Sequence, residues 1–268
     1  MTDRDAAGHA SATPAWLVVA ERELLDLWVS GRGLLLMLAY TCLLSGTSYL
    51  VATNKALNFL ETRESVSLTL GVAVAVSALL VVLASADAVS GERERATLET
   101  LLLTPAPGRA ILVGKGLAAL SLWLAALILS LPYVWFLGRG VSIVGKAVVG
   151  GFVVSALLAL FVAGLGLLIS AFANSNRVSL SLSLFLLVAL YAPTQLTTVG
   201  LQPAAGDLLQ RLDPFTSGLR YLDKLIVGGH SFGADAGLLV VPAVAAVVFC
   251  LLALAAAGRL TLSTRAHS

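Results

Sequence analysis

The sequence predicts an all-α integral membrane protein with six transmembrane helices, and three observations carry that prediction. The 268 residues are 58% hydrophobic and 12% charged, with a mean hydropathy of +0.94, against roughly 25% charged residues in an ordinary soluble domain. Apolar runs recur near 34–53, 66–86, 111–137, 147–173, 178–197 and 235–257, each close to the ~20 residues that cross a ~30 Å hydrocarbon core. Charges, prolines and glycine pairs gather between these runs. Helices follow because a span in lipid must satisfy its own backbone polar groups. The chain divides into an N-terminal stretch (1–33) with an interfacial helix, a transmembrane domain (34–257) and a tail (258–268). Six spans leave no room for a soluble catalytic domain.

The first element precedes the spans. Over Ala15 to Trp28, the residues Trp16, Ala20, Leu24, Leu27 and Trp28 recur at helical spacing, with Glu21, Arg22, Glu23 and Asp26 on the other side. That pattern predicts an interfacial helix, with tryptophan at the headgroup level. Ser30-Gly31-Arg32-Gly33 then turns the chain into the bilayer. Mixed charges ahead of the first run argue against a cleavable signal, so the first span is expected to be retained.

Between the second and third runs lies the loop 85–115. A helix is expected from about Gly91 to Leu103, with Glu92 and Glu94 in its first turn and Pro105 and Pro107 ending it. Leu98, Leu101 and Leu102 share one face of this helix, and Arg93, Arg95 and Glu99 lie off it. The pattern S-G-E-R-E-R-x-T-L-E-x-L-L-x-T-P, followed by I-L-x-G-K opening an apolar helix, resembles the first cytoplasmic loop of permease subunits in the type-2 exporter branch of the ATP-binding cassette (ABC) transporters. The resemblance implies a coupling helix that docks a cytoplasmic ATPase, carried here by Glu92, Arg93, Glu94, Arg95, Thr97, Leu98, Glu99, Leu101, Leu102 and Pro105. It also implies that R-E-L-L-D-L-W (22–28) is an elbow helix along the cytoplasmic face, in which Trp16, Leu24, Leu27 and Trp28 are the interfacial residues. Implied partners are two copies of the ATPase, a second copy of this chain and membrane lipid. ATP and magnesium would sit on the ATPase, and no cofactor on this chain.

The third and fourth runs are joined by Gly140-Val141-Ser142-Ile143-Val144-Gly145-Lys146-Ala147, which nearly spells the nucleotide-binding loop G-x-x-x-x-G-K-S/T. That loop needs a final hydroxyl for magnesium and a strand-to-helix setting. Ala147 has no hydroxyl, and Lys146 is expected to act as an interfacial anchor. In the fourth run, Ala159 with Ala163 and Gly166 with Ser170 are small pairs that let helices approach. Ser179, Ser181 and Ser183 open the fifth run, where their hydroxyls are expected to bond back to helix carbonyls rather than line a polar path. The longest loop, 198–234, is expected on the outer side, with short helices near Asp207–Leu212 and Ser217–Val227 and an apolar face of Leu219, Leu222, Leu225 and Ile226. Its D-P-F-x-x-x-x-R-Y-L-D resembles the equivalent segment of exporters of the gliding-motility and nitrous-oxide-reductase-maturation type. His230 is expected to be an ordinary polar loop residue and no metal site is expected. Cys42 and Cys250 fall in apolar runs, which speaks against a disulfide.

With both termini inside, ten of the seventeen Lys and Arg residues are cytoplasmic and seven outer, a weak bias under the positive-inside rule. The resemblance decides the orientation: both termini and the 85–115 loop in the cytoplasm, in a cell membrane. A net charge of +2 with no basic run excludes nucleic acid. The functional expectation is an ABC exporter permease. The alternatives are a scaffold or mechanical-coupling component of an ATPase-driven complex, and an ion-coupled carrier. Scarce ionisable residues within the spans disfavour the carrier.

Overall fold

The computed structural model describes residues 14–53, 62–96, 107–140, 142–196 and 212–265. Helix α1 (Ala15–Val29) is followed by α2 (Arg32–Thr53), α3 (Thr62–Glu94), α4 (Gly108–Leu137), α5 (Val144–Phe172) and α6 (Asn176–Leu196). Then come α7 (Pro214–Ile226), a 3-10 turn at Ala236–Leu239 and α8 (Val240–Arg265). All the described regular structure is helical. Six of the helices are long and apolar enough to cross a membrane, and they coincide with the six predicted runs.

Two of the six form the centre. In their most apolar stretches, 56% of α3 and 61% of α5 is buried inside the chain, against 17% for each of α2, α6 and α8. The α3–α5 seam is built from Val66, Leu70, Val81, Val154 and Leu158, all at most 3% exposed. Phe161 of α5 gathers other elements to it, with ring centroids 6.3 Å from Phe215 of α7 and 5.2 Å from Phe249 of α8. A second cluster joins Tyr40 and Leu44 of α2 to Leu80 of α3 and Leu122 of α4. The outer faces keep Leu34, Leu38, Phe185, Val188 and Leu251 exposed. Each would cost about 2 kcal/mol in water and nothing comparable in hydrocarbon.

Three elements differ from the sequence expectation. Gly91 does not start a new helix: α3 runs unbroken to Glu94, and Ala96 turns the chain away with φ 56°. Glu92 and Glu94 therefore lie in the last turn, where the helix dipole opposes them. Named partners, described below, outweigh that penalty. The residues from 97 to 106, including most of the expected helix, lie outside the described residues.

Helix α7 starts at Pro214 rather than Ser217, because Asp213 caps it: its Oδ2 accepts from the backbone N–H of Thr216 at 2.7 Å, with proline in the first turn. Its apolar face, Phe215, Leu222, Leu225 and Ile226, is packed inward against the spans rather than left free for lipid. Desolvation raises the Asp213 carboxyl above its ordinary value. The expected helix at 207–212 falls almost wholly outside the described residues. Finally, Ser179 does not bond back to its own helix; its Oγ donates to the Ala86 carbonyl of α3 at 2.7 Å.

Candidate coupling site

At one end of the bundle three helices meet on a single ammonium. Lys115 of α4 is only 3% exposed, and its Nζ lies 2.8 Å from Oε1 of Glu23 on α1 and 2.8 Å from Oε1 of Glu92 on α3. The carboxylates are themselves 23% and 16% exposed. An ammonium taken out of water costs several kcal/mol, which close carboxylates can offset. The position also requires α1 to lie hard against α4. Gly114 permits this: a Cβ there would stand 2.6 Å from Val19 Cγ1 and 2.9 Å from the Ala20 backbone nitrogen. Trp28 Nε1 adds a hydrogen bond to Ser121 Oγ of α4 at 3.1 Å.

The other flank of the α3 terminus is bound to the α5–α6 junction. Arg93 donates to the carbonyls of Ala171 and Ala173 at the end of α5, where a cation suits both the free carbonyls and the dipole. Asn176 reaches back, its Nδ2 donating to Asp87 Oδ1 at 2.6 Å and its backbone N–H to Glu94 Oε2 at 3.1 Å. One turn deeper, the Ser170 hydroxyl oxygen accepts from the backbone N–H groups of Val89 and Ser90 at 3.0 and 2.9 Å. The exposed pair Arg95–Asp87, at 3.3 Å, closes the outer edge. A push on the chain beyond Arg95 would thus meet α1 and α4 through Glu92 and meet α5 and α6 through Arg93 and Glu94.

Of the residues expected to form the dock, Glu92, Arg93, Glu94 and Arg95 are placed together here. Thr97, Leu98, Glu99, Leu101, Leu102 and Pro105 lie outside the described residues. The expected interfacial stripe on α1 is divided: Trp16 is exposed, whereas Leu27 and Trp28 pack against the α2–α4 cluster and Leu24 is half-buried. Glu23, assigned to the polar side, turns inward to Lys115. Asp87 and Asn176 were not singled out from the sequence, Lys115 entered only as the last residue of the I-L-x-G-K pattern, and Ser170 only as a small packing residue. A lysine inside the apolar run ILVGKGLAAL was the available signal, since such a charge in a span needs a carboxylate partner.

The near-miss phosphate loop has no cradle. Val144 to Ala147 form the first turn of α5, Ala147 is fully buried, and Lys146 Nζ donates to the carbonyls of Gly229 and His230 at 3.4 and 3.3 Å. His230 is also less isolated than the sequence suggests: its Nδ1 lies 2.6 Å from Asp235 Oδ2, and Lys224 Nζ bonds the other oxygen at 2.7 Å.

The profile of a family described as ABC-2 family transporter protein matches residues 17–263, nearly the whole chain. The chain belongs to the ABC-2 transporter family. A comparison with curated proteins returns no match. As an ABC-2 family member the chain is a multi-pass membrane protein and a permease component of ABC transporters, itself non-catalytic, and the family implies association with an ABC ATPase. The charged terminus of α3 belongs, in this ABC-2 permease, to the loop between the second and third spans.

Proposed function

We propose that this permease is the transmembrane subunit of an ABC exporter in a cell membrane, working as two copies with two copies of a cytoplasmic ATPase that binds ATP and magnesium. The loop 91–103 carries the dock, rooted in the last turn of α3, with Leu98, Leu101 and Leu102 buried in a groove of the ATPase and Arg95 and Glu99 at its rim. Both termini and this loop face the cytoplasm, and 198–234 faces outward. Closure of the ATPases moves the dock, and rigid helices carry the movement across the membrane.

The observation that carries the reading is the Lys115 cluster. Glu92 stands at the root of the dock and shares its cation with Glu23 of the elbow helix, so the dock, the elbow and the third span are one mechanical unit. Purification in mild detergent with identification of the bound subunits tests the partner. Vectorial transport in proteoliposomes tests export: ATPase binding without solute movement would favour the scaffold reading.

A further inference from the structure

A cavity of about 710 Å³ opens beside the Lys115 cluster, between α1, the start of α2, α3 and α4. Its size falls in the ~300–1,000 Å³ range of small-molecule sites. Four basic and four acidic side chains line it. Five of them are satisfied by one another, in the Lys115–Glu23–Glu92 cluster and the Arg95–Asp87 pair. The other three, Arg22, Asp26 and Arg32, make no ion pair or side-chain hydrogen bond with any described residue.

The surplus is thus two guanidiniums and one carboxylate. Two guanidinium forks suit a phosphodiester, and a carboxylate beside them suits an ammonium. The remaining wall is apolar, supplied by Leu27, Leu36, Leu83 and Leu180. Exposed Trp16, Leu17, Val18 and Leu25 on α1 put the same end of the bundle at the depth of lipid headgroups. We propose that this cavity seats an aminophospholipid of the phosphatidylethanolamine type, its phosphate on Arg22 and Arg32, its ammonium on Asp26 and the root of an acyl chain on the leucine wall. The site discriminates by chemistry: a choline headgroup cannot donate hydrogen bonds to Asp26, and a glycerol headgroup brings no cation to it. Such a lipid would bridge the elbow helix and the first, second and fifth spans, so its occupancy would stiffen the seating of the elbow on the bundle.

The test uses the intact protein in nanodiscs holding equal amounts of phosphatidylethanolamine, phosphatidylcholine and phosphatidylglycerol, with bound lipid counted by native mass spectrometry. Phosphatidylethanolamine should be retained several-fold over either competitor. Arg22→Gln/Arg32→Gln should abolish the enrichment, and Asp26→Asn should remove the preference for phosphatidylethanolamine over phosphatidylglycerol while phospholipid is still retained. Because Asp26 is exposed and unpaired, that variant stays readable if the double variant aggregates. Equal retention of the three lipids by the wild type, or unchanged enrichment in the variants, would overturn the proposal. Displacement of the lipid by micromolar soluble glycerophosphoethanolamine would also overturn it, by assigning the cavity to a water-soluble phosphodiester.

Discussion

Lys115 and Glu92 meet at 2.8 Å across the α4–α3 seam, with Glu92 only two residues from the end of α3. The contact fixes the root of the loop between the second and third spans to α4, about two turns inside the helix that follows it. Removing the ammonium leaves two carboxylates facing each other in a half-dry site. Lys115→Met should therefore cost about 3 kcal/mol or more, read as a lowered unfolding midpoint in detergent. Adding Glu23→Gln and Glu92→Gln to the same chain should return most of that loss, because the uncompensated charges go with it. A triple variant no better than Lys115→Met would mean that the lysine acts through packing alone.

The seating of α1 on α4 depends on an absent side chain. Gly114→Ala would press a methyl group to 2.9 Å from the Ala20 backbone nitrogen, so α1 must lift, at about 1–3 kcal/mol. Gly46→Ala is the comparison, since nothing lies within 4 Å of a Cβ there. Thermal unfolding should show Gly114→Ala clearly destabilised and Gly46→Ala unchanged or improved.

Orientation can be read by thiol accessibility after Cys42 and Cys250 are replaced. Ser90 and Ser217 are unsuitable reporters, being at most 2% exposed. Ala96→Cys and Ser231→Cys stand at exposed positions on the two loops. On intact cells, a membrane-impermeant reagent should label Ser231→Cys and spare Ala96→Cys until the membrane is opened. The opposite pattern would invert the proposed topology.

The clasp of Lys224 and His230 on Asp235 should open in acid. Lys224 first, and His230 second, hold the Asp235 carboxyl below its ordinary 3.8. A depressed carboxyl contributes order that is present above 3.8 and is lost as pH falls through the lowered value. Protection from hydrogen exchange at 228–235, taken relative to the intrinsic rate at each pH, should persist at neutral pH and fall only below about pH 4. Asp235→Asn should lack that protection at every pH.

The six spans were legible because hydrophobicity alone defines them: each run is predominantly apolar and long enough to cross. The amphipathic α1 was legible as well, from Ala15 onward, because its period is strong. What sequence spacing cannot give is which polar residue turns inward. Glu23 was placed on the wet side of α1 because its neighbours Arg22 and Asp26 are there, yet its cation lies 92 residues away on another helix. The α3 terminus was misread for a related reason. Dipole preference and a glycine both favoured a helix start at Gly91, and both are weak, about 1 kcal/mol each. Lys115, Asn176 and the α5 carbonyls together outweigh them. The α7 start was written in the sequence as an aspartate capping a helix with proline in its first turn, but Pro214 reads equally as a break.

The central claim, that residues 91–103 hold the ATPase, is tested most directly by retention of that subunit during purification. Leu98→Asp/Leu101→Asp would bury unpaired charge in the contact at a cost of a few kcal/mol, a loss of a hundredfold or more in affinity. The account predicts that the double variant purifies as a folded, monodisperse membrane protein with its ATPase missing. Recovery of the ATPase at wild-type levels on that variant would contradict it.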